Sequence, residues 1–116
     1  MSISFNGYKT EVLTFENENA EISYPVTVNS ASKSIKASAE SNFIGVCVTE
    51  RNDLAGVQTD GYVELHYSST APGTGMVYLV ADGNGGVKVP SSSSNAMKAY
   101  KVLKVDTVNK TVGFIL

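Results

Sequence analysis

Apolar and polar positions alternate with a period of two along most of this chain, and the spacing of a helix face is almost absent. Residues 62–67 read Tyr-Val-Glu-Leu-His-Tyr, placing Val63, Leu65 and Tyr67 on one face and Glu64 and His66 on the other. Residues 98–106 set Tyr100 and Val102 opposite Lys101, Leu103 and Val105, and residues 111–116 set Val112, Phe114 and Leu116 opposite Gly113 and Ile115. Residues 43–50 give a further strand with Ile44, Val46 and Val48 on one side, and residues 75–81 are apolar throughout, as a strand buried on both faces would be. Shorter candidates lie at 9–15, 21–28 and 34–37. β-Branched and aromatic residues dominate these runs, as strand packing prefers.

Turn residues punctuate the strands at short intervals: Asp53-Leu-Ala-Gly56, Asp60-Gly61, Pro72-Gly73, Asp82-Gly-Asn-Gly-Gly86 and Val108-Asn109-Lys110. A single helical turn near residues 92–98 is the one helical expectation. Residues 29–42, rich in Ser, Ala and Lys, read as a lightly packed surface segment around their short strand. The pattern predicts an all-β, single-domain β-barrel or β-sandwich of about eight short, mainly antiparallel strands. It divides into an N-terminal arm or first strand over residues 1–7 and one domain over 8–116.

Composition narrows the function. The chain has 116 residues, a formal charge of −2 and 17% charged residues, below the roughly 25% of an average soluble domain. A balanced surface of this kind argues against nucleic acid as a partner, since phosphate binding needs a basic face. The hydrophobic fraction, 42%, is enough for a packed core. No segment approaches the about 20 apolar residues of a membrane span, and no signal peptide is written at the N-terminus. Neither a membrane partner nor export is expected.

Candidate chemistry is sparse. His66 is the single histidine and Cys47 the single cysteine, so a Cys/His zinc site cannot be assembled and no internal disulfide can form. His66 falls on the polar side of its strand, and Cys47 has no basic neighbour to hold a thiolate. An enzyme would need His66 in a pocket with Glu64 or Asp60. The residue 82–86 segment begins like a calcium loop, but Ser93 stands where the closing carboxylate would be. A hairpin turn, with Asn84 and the glycines at positive φ, explains it. The tyrosines Tyr62, Tyr67, Tyr78 and Tyr100 alternate into core-facing or near-core positions, and Lys98, Lys101 and Lys104 line a solvated strand. No catalytic residues, metal or cofactor are expected.

From residue 42 onward a particular order of elements emerges. Phe43-Ile-Gly-Val-Cys-Val-Thr-Glu is followed by Asp53-Leu-Ala-Gly-Val-Gln-Thr-Asp-Gly-Tyr-Val-Glu-Leu and by Gly75-Met-Val-Tyr-Leu-Val-Ala-Asp-Gly-Asn-Gly-Gly-Val. A Ser-rich loop, Lys101-Val-Leu-Lys-Val-Asp and a closing Thr-Val-Gly-Phe-Ile-Leu complete it. This order resembles a small β-barrel family of tailed phages that looks like capsid decoration, or cement, proteins. The likeness covers nearly two-thirds of the chain. It does not extend to the loop at 89–97 or to residues 1–41.

The resemblance implies a non-enzymatic virion protein, made in the host cytoplasm and bound to the capsid exterior, with the major capsid protein as partner and a homotrimer as its own assembly. Ile3, Ser4, Phe5 and Asn6 are the candidate capsid contacts, because an alternating apolar arm can add a strand to a neighbour's sheet. The same residues would equally serve as the domain's own first strand. A small adhesion module binding cell-surface glycans is the alternative from another functional class.

Overall fold

A computed structural model describes residues 11–91 and 97–116. The strands run β1 (Glu11–Asn17), β2 (Pro25–Val28), β3 (Lys33–Lys36), β4 (Gly45–Arg51), β5 (Leu54–Asp60), β6 (Tyr62–Ser68), β7 (Gly75–Tyr78), β8 (Val80–Ala81), β9 (Val87–Lys88), β10 (Ala99–Asp106) and β11 (Thr111–Ile115). The expected all-β fold is what forms. The first five strands close into a barrel in the order β1-β3-β2-β4-β5, and the last six make a sheet ordered β7-β10-β11-β6-β9-β8. β1–β3 and β6–β9 pair in parallel, and the other pairings are antiparallel. Among the described residues no helix is long and apolar enough to cross a membrane.

Among the described residues eleven strands replace the expected eight or so, for local reasons. The segment read as a turn, Asp53 to Gly56, instead opens β5. The turn is Asn52-Asp53, with φ of 48° and 61°, between the paired Arg51 and Leu54. Two consecutive positive φ values make the two-residue hairpin loop whose twist matches its strands, and Asn and Asp tolerate them best after glycine. Residues 75–81, expected as one buried strand, divide at Leu79. β7 stands at one margin of the sheet with Met76 and Tyr78 exposed, while Leu79, Val80 and Ala81 are fully buried. Tyr78 therefore leaves the core-facing set in which alternation placed it.

Two bulges change which side chains face inward. Register shifts between Cys47 and Thr49, and between Val102 and Lys104. An extra residue in one strand shifts the alternation beyond it. Beyond the second shift Val105 packs against the core, while Leu103 stays exposed on the Lys101 side; Val46 and Cys47 are both buried, and Ile44, ahead of β4, is exposed. The segment at 29–42 is also more deeply embedded than its composition indicates, since Ser34 and Ala37 are buried. The Ser34 hydroxyl lies 3.3 Å from the Glu16 carbonyl and 3.1 Å from Asn17 Oδ1, which itself accepts the Ala20 amide at 2.7 Å. These bonds satisfy polar groups at the short parallel junction of β1 and β3, where burial without partners would cost about 1–3 kcal/mol each.

Two apolar clusters hold the molecule together. Ala20, Val26, Cys47, Ala55 and Val57 fill the barrel. The larger cluster lies under the sheet and includes Leu65, Leu79, Val87, Tyr100, Val112 and Phe114. Ala37, Phe43 and Val46, from the barrel half of the chain, belong to this second cluster. Phe43 stacks on Tyr100 with centroids 5.3 Å apart and meets Phe114 edge-on at 6.3 Å. Gln58, buried where the chain passes from barrel to sheet, donates through Nε2 to the carbonyls of Asp60 and Tyr62 at 3.0 and 3.1 Å.

Candidate functional site

The residues that sequence reasoning offered for catalysis do not converge. His66 and Glu64 are exposed on alternate positions of β6, and Glu64 is engaged by the Tyr62 hydroxyl at 2.8 Å and by Lys104 at 3.8 Å. Asp60 accepts the Gly61 amide at 2.8 Å and so serves the corner between β5 and β6. Cys47 is fully buried, and burial pushes its thiol up, with Glu50 adding to the effect. Its Sγ donates to the Thr49 carbonyl at 3.3 Å, the behaviour of a small packed residue.

A cleft of about 300 Å³ opens between the barrel and β6, lined by Ile22, Cys47, Gln58, Tyr62 and Glu64 among others. The Tyr62 phenol there is pushed up by burial and by Glu64. Its ring lies across Gly113, where a Cβ would collide with the hydroxyl. His66 and Asp60 do not line the cleft. Among the described residues no three His, Cys, Asp or Glu side chains gather where they could hold a metal ion.

The loop over residues 82–86 is a self-capped turn. The Asp82 carboxylate accepts the Asn84 and Gly86 amides through Oδ1 at 2.6 and 3.0 Å, and the Ser68 hydroxyl through Oδ2 at 2.5 Å. Burial opposes its ionisation, but these bonds outweigh burial and hold the carboxyl below its ordinary value. Gly83 and Gly85 take positive φ, at 83° and 92°, whereas Asn84, also expected there, does not. A second anchor joins distant segments. Glu40 meets Lys88 Nζ at 2.5 Å and accepts the Ser91 hydroxyl at 2.6 Å.

What remains is a surface. The pairings Met76↔Lys101, Ala99↔Tyr78 and Lys101↔Ile115 place these side chains on the outer face of the sheet, because directly paired residues share a face. Met76 is 65% exposed, Tyr78 49% and Leu103, in the β10 bulge, 41%. Sequence reasoning missed this face by reading residues 75–81 as buried. Its signal was the absence of any Asp, Glu, Lys or Arg from residue 65 to residue 81. The contacts expected at Ile3, Ser4, Phe5 and Asn6 lie outside the described residues, as does most of the helical turn expected near 92–98.

No protein-family model matches the sequence, and no match is found among curated proteins or solved structures.

Proposed function

We propose that this chain is a non-enzymatic structural protein that docks on a protein surface through the outer face of its six-stranded sheet, and that this surface is the exterior of a phage head. The observation carrying the docking is the apolar stripe of Met76, Tyr78 and Leu103 beside Lys101, presented on paired strands. Large apolar side chains grouped on one rigid face favour protein contact, with the lysine among them steering orientation. The phage head comes from the resemblance of the order of elements after residue 42 to capsid decoration proteins. A decoration protein bound at many equivalent lattice positions gains from multivalency, so each contact can be modest.

The test is co-sedimentation of the protein with mature, undecorated heads over a range of protein concentrations. Saturation at a ratio fixed by lattice symmetry is expected. Leu103→Asp with Lys101→Glu should weaken binding at least tenfold while leaving the melting temperature within a few degrees. Failure of folded protein to bind intact heads would overturn the capsid role and turn attention to glycans. Undiminished binding by the double variant would overturn the docking face.

A further inference from the structure

The six-stranded sheet has two margins, and they are treated differently. At β8, Ala81 donates to the Ser41 carbonyl and accepts the Glu40 amide, both at 2.9 Å, so the chain itself covers that edge. At β7, hydrogen bonding runs to β10 on one side, and among the described residues no strand pairs on the other. Soluble proteins ordinarily guard such an edge with a charge, a proline or a bulge. β7 is kept short, at four residues, but has none of these: it reads Gly-Met-Val-Tyr and pairs with β10 in unbroken register. A Cβ built on Gly75 would meet nothing within 4 Å.

We propose that β7 pairs antiparallel with β7 of a second copy of this chain, about a two-fold axis through Val77. Alternation dictates the register. A two-fold on Val77 sets Met76 opposite the second copy's Tyr78, and Tyr78 opposite its Met76, all on the outer face. Val77 then meets Val77 on the side that packs against the core. A two-fold on Met76 would instead oppose Tyr78 with Thr74 and waste the aromatic. Sulfur–aromatic contacts of this kind are favourable, and cross-strand pairs are the unit of sheet stability.

Charge agrees with a second copy as occupant. No acidic or basic side chain lies on β7, so two like edges meet without repulsion. The pairing also closes on itself, leaving no further edge for growth. Four residues a side bury well under the about 1,200 Å² of a stable interface, so the association is weak and reversible. It shares Met76 and Tyr78 with the proposed docking face, but its tests need no capsid.

Disulfide trapping reads the register directly. Met76→Cys and Tyr78→Cys proteins are prepared separately, checked for unchanged melting, and oxidised with glutathione disulfide, alone and mixed. The mixture should yield the mixed disulfide in at least tenfold excess over either homodimer. Wild-type protein, whose Cys47 is buried, should yield none. Homodimers of either variant in equal amount, or no cross-linking, would overturn the register. Sedimentation of the wild type at rising concentration should approach the mass of two chains, and Met76→Lys should hold it at one. A wild type that stays monomeric, a limit at three chains, or association that survives Met76→Lys would overturn the pairing.

Discussion

Phe43 lies in the barrel half of the chain but packs in the core beneath the sheet, so its removal asks whether the halves fold as one unit. Its ring is 5% exposed, stacks at 4° on Tyr100 and lies edge-on to Phe114. Phe43→Ala removes a buried ring and leaves a cavity, which costs about 3–5 kcal/mol. A domain of this size has only about 5–15 kcal/mol to lose. Phe43→Leu keeps most of the apolar volume and loses the two ring contacts, a cost of about 1–3 kcal/mol at the roughly 0.5–1.5 kcal/mol of an aromatic pair. With no tryptophan in the chain, urea unfolding is followed by far-ultraviolet circular dichroism and tyrosine fluorescence. The Ala variant should shift the midpoint down by roughly 2 M at an ordinary urea slope. Both probes should trace one shared transition. A loss under about 1 kcal/mol, or a second transition in which the barrel melts as in the wild type, would refute the coupling of the two halves through Phe43.

Two further outcomes follow from single residues. The Lys88 contact, aided by Ser91, lowers the Glu40 carboxyl from 4.5 to about 2. A depressed native value means that its stabilisation is present above about pH 4.5 and fades as pH falls towards 2. Melting temperatures of wild type and Glu40→Gln should therefore converge between pH 5 and pH 2, and a difference that stays constant with pH would exclude the ionised pair. At the first hairpin, Asp53→Gly should raise stability by up to about 1 kcal/mol, because glycine takes the φ of 61° without strain. Urea midpoints measure it, and a clear destabilisation would mean that the Asp53 side chain contributes beyond its backbone geometry.

The fold class was written in the order of apolar and polar residues. Runs such as 62–67 and 111–116 alternate cleanly, and the inward set Val63, Leu65, Tyr67, Val112 and Phe114 is buried as alternation requires. That much is local, since successive side chains on a strand point to opposite faces whatever the strand pairs with. The exposed placement of His66, the burial of Cys47 and the glycine turn after Asp82 were legible for the same reason.

Tertiary structure decided what depends on neighbours. Whether Gly75-Met-Val-Tyr is interior or margin turns on how many strands flank it, and those strands come from distant parts of the chain. Register shifts after Cys47 and after Val102 interrupt the alternation, and the second turns Val105 toward the core against a simple period of two. Leu54 to Asp60 was hidden because Asp53 and Gly56 carry turn chemistry, although only Asn52 and Asp53 adopt turn dihedrals. Phe43 entering the far core and Ser34 sealing the β1–β3 junction rest on contacts across the chain. A side chain's own chemistry sets which face of a strand it prefers. Pairing partners then decide which of those faces are covered, and so leave Met76, Tyr78 and Leu103 exposed.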